Sequence, residues 1–340
     1  MKVARYYGAS DIRIEEMPVP EPGPGEILLR VRASGICGSD VMHWYRQGRG
    51  PVVLGHEIGA EIAAVGKGVT GYKTGDRVCA SHHVPCNTCH YCRGGHDTVC
   101  DTLRRTNFHP GGFSEYVLLP SINVDRGVYL LPKTMSYEEA TFIEPLACVY
   151  RGQRTAGTKI GCSMLVIGSG ISGLLHIQLA KALGAGRVIA TDINSYRLDA
   201  AKRFGADGVI GAGEDLPDRL RTMNNGRLAD IVVLTAGAEA AISSAFRSVD
   251  RGGSVLFFAP AGKGISVPLP VNDLFWRNEI TLTSSYAANY KEHMISLELI
   301  RQGKVNVRDM ITHILPLEET AKGFQLVEKA EESLKVIITP

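Results

Sequence analysis

Along residues 1–145 the apolar positions come in short runs broken by glycine and proline. Pro18, Pro20, Pro22, Gly23, Pro24 and Gly25 make a stiff early loop, after which Ile27–Ala33 reads as a strand. Glu61–Val65 and Arg77–Ala80 repeat that style, with Gly66, Gly68, Gly71 and Gly75 between them. The texture changes near residue 148. Met164–Ile167 is apolar throughout and is followed by a glycine turn and a helical stretch over Leu174–Leu183. Strands over Arg187–Asp192, Ile231–Leu234 and Ser254–Phe258 then alternate with helices over Arg197–Phe204 and Ala240–Val249. Continuous apolar strands alternating with helices imply a parallel sheet covered on both faces, hence a doubly wound α/β domain. Beyond about residue 285, Lys291–Ile300 and Leu317–Ala330 read as helices and Lys335–Ile338 as a closing strand. There is no internal repeat and no low-complexity tract.

A chain of 340 residues is too long for one compact core and points to two domains. Apolar residues at 44% and charged residues at 21% fit a globular chain. The net charge of +2 gives no reason to expect nucleic acid or a charged membrane surface as partner. No apolar stretch of signal-peptide length follows Met1, and the uncharged run between Lys159 and Lys181 is broken by Gly161, Gly168, Gly170 and Gly173. A cytoplasmic location with reduced cysteines is expected.

Gly168-Ser169-Gly170-Ile171-Ser172-Gly173 follows the 164–167 strand directly and opens a helix. The first glycine serves the tight turn, the second lets backbone approach a pyrophosphate, and the third allows close helix–sheet packing. The helix N-terminus presents free N–H groups to the phosphates. Asp192 ends the next strand at the spacing this fingerprint requires, where a carboxylate bonds ribose hydroxyls and repels a 2′-phosphate. Gly168, Gly170, Ser172, Gly173 and Asp192, with Arg197 on the adenine side, therefore make a candidate NAD site. A glycine turn in some other doubly wound fold is the bland alternative.

The eight cysteines are unevenly spread. Cys86, Cys89, Cys92 and Cys100 form C-x₂-C-x₂-C-x₇-C, a set that can close a tetrahedron around one Zn²⁺ with no position left for chemistry. Iron–sulfur ligation competes, but the third gap is long and Asp101, not proline, follows Cys100. A second set comprises Cys37, then Gly55-His56-Glu57, then Glu144-Pro145. Spacing alone does not make it a metal site. One thiolate, one imidazole and carboxylates would nevertheless leave a coordination position open, as catalytic zinc requires, with Asp40 placed to fix the His56 tautomer. His82, His83, His90 and His96 read as surface residues, and Cys79, Cys148 and Cys162 as small core residues.

Gly55-His56-Glu57, Cys37-Gly38-Ser39-Asp40, Gly75-Asp76-Arg77-Val78, the four-cysteine loop and the glycine fingerprint together resemble the zinc-dependent medium-chain alcohol dehydrogenases. Glu144-Pro145-Leu146 is similar to the sorbitol (polyol) and threonine dehydrogenase branch. The resemblance implies a chaperonin-10-like β-rich catalytic domain over 1–147 and 284–340, with an NAD-binding Rossmann domain over 148–283 inserted in it and the active site in the cleft between them. It implies Cys37, His56 and Glu57 as ligands of a catalytic zinc and Glu144 as a ligand or the holder of its water. Ser39 would be the hydroxyl that takes the substrate proton. The branch carries a histidine five residues after the ligand cysteine; here Met42 stands there and His43 follows, which makes His43 the candidate next station for the proton. Ser285-Tyr286 stands where polyol dehydrogenases carry Arg-Tyr, and Ala147-Cys148 where threonine dehydrogenases carry Gly-Asn. The expected activity is oxidation of a secondary hydroxyl of a polyol, sugar or cyclitol with hydride transfer to NAD, two zinc ions per chain, and a homo-oligomer, tetrameric by preference. The rivals are an L-threonine 3-dehydrogenase-like oxidation and a non-enzymatic nucleotide-binding member of the fold.

Overall fold

The computed structural model describes every residue except Ala9, Ser10, Gln47 and Arg49. The chain divides into two compact units, Met1–Ala147 with Ala287–Gly303 and Val307–Pro340, and Cys148–Tyr286 with Lys304–Asn306.

The first unit is built on a seven-stranded sheet whose path runs Ile311–Pro316, Lys335–Thr339, Ile27–Gly35, Glu57–Val65, Arg77–Ala80 and Val128–Leu130, with Tyr116–Leu119 pairing the long Ile27–Gly35 strand. All pairs are antiparallel except the first, so the chain end is stitched to its beginning by Ile337 opposite Gly35. Ile27, Leu29, Val31, Ile58, Ala60, Ile62 and Val78 fill one core face, which is the alternation a half-covered sheet demands. A smaller sheet joins Asp11–Glu16, Lys2–Gly8 and Val52–Val53. One register decides the chemistry: Gly35 lies opposite Glu57, so the turn after Gly35 and the residues before Ile58 arrive side by side.

The second unit is a six-stranded, wholly parallel sheet in the order Gly208–Gly211, Arg187–Asp192, Ser163–Ile167, Ala229–Leu234, Val249–Phe257, Thr281–Ser284. Strand order reverses at Ser163–Ile167, the topological switch point at which open α/β sheets bind ligands beyond their C-terminal edge. All five residues of that strand are buried, as the continuous apolar run requires.

The structure departs from the sequence expectation in places. The boundary expected at 283/284 lies further on, because Ser284 pairs with Phe257 and keeps the chain in the sheet to Tyr286. Residues 304–306 also belong to this unit, where Gln178 and the backbone of Asn306 exchange hydrogen bonds of 2.7 and 3.0 Å. The strand Gly208–Gly211 and the helix Leu216–Met223 are additional elements. That helix had a readable start, since Asp215 caps it by accepting from the N–H of Asp218 and a proline stands at its opening turn. Among the described residues no helix is long and apolar enough to cross a membrane.

Candidate active site and metal centres

Cys37 Sγ, a ring nitrogen of His56 and a carboxylate oxygen of Glu57 lie within 4.8 Å of one another. Cys37 caps the short 3₁₀ turn Gly38–Asp40: its Sγ accepts from Ser39 N at 3.5 Å, while its own N–H donates to Asp40 Oδ2 at 3.1 Å. The thiol is thereby held toward the strand start that bears His56 and Glu57. Asp40 is fully buried, and Arg46 Nη2 donates to its Oδ1 at 3.1 Å. His56 Nδ1 stands 3.7 Å from the same oxygen, an ion-pair distance and not the hydrogen bond anticipated for it.

Burial opposes charging of His56, but Asp40, then the hydrogen-bonded Cys37, then Glu144 outweigh it and raise the imidazole well above its ordinary pKa. The surroundings of His56 therefore favour a cation there, and a metal ion supplies that charge without the proton. Glu144, in the first turn of the Ile143–Thr155 helix, is not one of the three converging ligands, yet its charge acts on His56.

Ser39 sits on the same turn as Cys37. Arg46 Nε donates to its carbonyl at 3.0 Å, and Arg46 Nη2 lies 3.5 Å from its Oγ. The structure thus puts Arg46, not His43, against Ser39; His43 Nε2 pairs with Glu328 at 2.7 Å, both side chains half exposed. A second correction concerns His82 and His83, which are half-buried beside the site and not open surface residues. The His82 ring lies 4.8 Å from that of His56 and 3.9 Å from that of His83, and burial pushes both below the ordinary histidine range, His83 to about 4. Both are neutral neighbours of the site. His90 and His96 are exposed as anticipated.

Cys86, Cys89, Cys92 and Cys100 converge as the spacing implied. Sulfur separations of 3.9, 3.5 and 3.6 Å for Cys86–Cys92, Cys89–Cys92 and Cys86–Cys100 fit a tetrahedron. Zn–S bonds of about 2.3 Å give an edge of roughly 3.8 Å. Thr88, through its hydroxyl and its N–H, and then Cys89 N–H, hold the Cys86 thiol down at about 5, ready to ligate as thiolate. Around a bound zinc four sulfurs would close the shell and leave such a centre only to pin its loop. Cys100→Ser is expected to leave the parallel sheet of the second unit unaffected while amide exchange across residues 86–105 accelerates at least about tenfold. Unchanged exchange over that loop would rule out metal as its clasp.

In the second unit Gly168 adopts φ +97° and Gly170 caps the helix Ile171–Ala182. A side chain at Gly173 would overlap the carbonyl of Gly168, the close helix–turn approach expected of that position. Asp192 Oδ2 accepts from Ser169 N at 2.6 Å and Oδ1 from Asn194 N at 2.9 Å. A carboxylate has about four lone-pair directions, so two remain for ribose hydroxyls. The Arg197 guanidinium lies about over Gly170, 3.7 Å from where a Cβ would stand, so it faces the phosphate turn and not open solvent.

A thiol, imidazole and carboxylate that converge in one unit, and a glycine turn that opens a helix at the sheet's switch point in the other, are the features of a metal-dependent oxidoreductase linked to a nicotinamide cofactor. Residues 23–130 match the alcohol dehydrogenase GroES-like domain and residues 172–301 the zinc-binding dehydrogenase domain. A sorbitol dehydrogenase of Bacillus subtilis is 35% identical over 354 residues, covering 100% of this chain and 97% of its own. A sorbitol dehydrogenase of Gallus gallus is 32% identical, covering 96% and 92%. Among solved structures, a protein of Sinorhizobium meliloti 1021 described as a zinc-binding dehydrogenase and bound to NADP superimposes with a TM-score of 0.88 at 27% identity, covering 100% and 99%. The chain belongs to the zinc-dependent medium-chain alcohol dehydrogenase family, polyol dehydrogenase branch. It is an enzyme of that family, and the non-enzymatic reading is set aside.

Proposed function

We propose that the protein oxidises a secondary hydroxyl of a polyol, sugar or cyclitol to the ketone with NAD as acceptor, and that it carries one catalytic and one structural zinc. The observation that carries this reading is the convergence of Cys37, His56 and Glu57, with Ser39 on the Cys37 turn. The mixed thiolate, imidazole and carboxylate donors fit zinc and leave a position free for a hydroxyl, whereas the four-sulfur centre leaves none. When bound, zinc polarises the substrate hydroxyl as a Lewis acid and the nicotinamide ring takes up hydride.

The chain's own residues supply the rest. Ser39 Oγ is the hydroxyl placed to receive the substrate proton, and Arg46, 3.5 Å away, holds its orientation. Asp40, charge-paired with Arg46, keeps Cys37 in place through the capping hydrogen bond. The free N–H groups opening the Ile171–Ala182 helix bind pyrophosphate, and Asp192 selects the unphosphorylated ribose. Support for a polyhydroxy substrate comes from the sorbitol dehydrogenase relatives, and Ser285 offers no charge for an ionic group.

Metal analysis is expected to return about two zinc ions per chain. Screening polyols, aldoses, inositols and threonine by NADH release is expected to show turnover with a neutral polyhydroxy compound. Turnover confined to threonine, or NADH release with none of these, would refute the reading.

A further inference from the structure

Between Cys92 and Cys100 the chain makes a 3₁₀ turn, Asp97–Val99, which Cys100 closes by donating its N–H to the Asp97 carbonyl at 3.2 Å. The turn that brings the Cys100 thiol to the other sulfurs therefore also places Asp97. Its Oδ2 accepts from Nδ2 of Asn289, 192 residues further along the chain, at 2.6 Å. Asn289 caps the helix Tyr290–Arg301. Its Oδ1 accepts from Glu292 N at 3.1 Å, its N–H donates to Glu292 Oε2 at 2.8 Å, and its carbonyl accepts from His293 Nδ1 at 2.8 Å. Those three groups serve the helix, and Nδ2 is turned out to the cysteine loop.

The approach to this cap runs against local preference. Ala287 adopts φ +50°, the left-handed region that a residue with a Cβ avoids, and such a conformation persists only where its surroundings fix it. The start of the helix then packs inward. The His293 ring lies parallel to that of Tyr129 at 5.1 Å, and the Tyr290 ring lies 5.3 Å from it. Tyr129 pairs with Cys79, three residues before His82. Burial, then His83, His56 and His293, hold the His82 ring well below its ordinary range, and that ring lies 4.8 Å from His56. The helix start thus belongs to the surroundings of His56, and a carboxylate on the cysteine loop anchors it.

We propose that Asp97 is a positioning residue through which a metal in the four-cysteine centre fixes the start of the Tyr290–Arg301 helix, so that by pinning its loop the centre orders a remote segment as well. The proposal rests on the reading of the four cysteines as a metal centre. Without metal, thiolates at separations of 3.5–3.9 Å repel one another, the turn opens and Asp97 leaves the cap. The coupling is reciprocal: a metal-bound loop holds Asp97 for Asn289, and Asn289 in turn favours the metal-bound loop.

The test uses the full-length enzyme as wild type, Cys100→Ser, Asn289→Ser and the double variant. A serine at 289 still caps the helix through its hydroxyl but loses the amide N–H that reaches Asp97. Amide exchange over residues 289–296 is expected to accelerate at least about fivefold in Cys100→Ser relative to wild type. In the Asn289→Ser background, adding Cys100→Ser is expected to change that exchange by less than about twofold. In the other direction, Asn289→Ser is expected to weaken cobalt(II) binding at the four-cysteine centre about fivefold in chelator competition, read from the thiolate-to-cobalt absorption band. Asp97→Leu is expected to match it, and Asp97→Asn, whose side-chain oxygen still accepts from Asn289, to lie close to wild type. The cobalt titration of Asn289→Ser removes no cysteine and carries the test if Cys100→Ser folds poorly. Equal helix exchange in wild type and Cys100→Ser, with equal cobalt affinity in wild type and Asn289→Ser, would overturn the proposal and leave the Asp97–Asn289 bond a local contact. Wild type without a thiolate-to-cobalt band would remove the metal reading of the four cysteines, and the proposal with it.

Discussion

Cys37→Ser is expected to eliminate turnover, lowering kcat/KM by at least about a thousandfold while the protein remains folded. The thiolate is the softest and most strongly charged donor of the Cys37–His56–Glu57 group, and a serine hydroxyl stays protonated near neutral pH and is a poor ligand. Losing Lewis-acid activation forfeits several kcal/mol of barrier lowering, and each 1.36 kcal/mol is about a factor of ten. The fold should survive. Cys37 is only partly buried, and its structural duty is the 3.5 Å acceptance from Ser39 N, which a serine oxygen can assume. Metal content is expected to fall from about two to about one zinc per chain, because the four-cysteine centre is untouched. Activity within tenfold of wild type, measured with that metal count, would show that the chemistry does not run through this centre.

Exchanging Asp192→Ser together with Ile193→Arg is expected to move the NAD-over-NADP ratio of kcat/KM by about a thousandfold toward NADP. Asp192 is 8% exposed with its oxygens turned to Ser169 N and Asn194 N, so its charge sits at the strand end facing the glycine turn. Removing it deletes charge-assisted hydrogen bonds to ribose hydroxyls, worth about 1.5–3 kcal/mol each, and lifts the repulsion of a 2′-phosphate. Ile193 is 90% exposed, so an arginine there disturbs no packing and offers a bidentate partner to that phosphate. A modest loss of Tm is expected as well, because Ser169 N–H loses its 2.6 Å acceptor. An unchanged cofactor ratio in steady-state kinetics would remove Asp192 from cofactor selection.

Much of the second unit was legible because its signals are local. Arg187–Asp192 was readable to the residue, since a strand buried on both faces admits almost no polar position and its ends are marked by charge. The Gly208–Gly211 strand escaped notice because four residues flanked by glycine carry too short an apolar run to stand out. His82 and His83 depart from the surface expectation for a different reason. Histidine is neither reliably buried nor reliably exposed, and their placement beside His56 follows from strand pairing that adjacent residues do not encode. His43 likewise lies near Ser39 in sequence, but its ring pairs with a glutamate from the chain's last helix.

The sequence by itself determined a doubly wound parallel domain, the dinucleotide turn with its acid at Asp192, and a four-cysteine clasp, because each is written within a few residues or one βαβ span. Tertiary structure alone decided which polar groups share the buried space around Glu57. Gly35, Cys37, His56 and Lys335 meet there through antiparallel registers, and the salt bridge that results joins residues 278 positions apart. Pairing at that range is set by how the strands close the sheet, and a buried charge finds its partner only once they have.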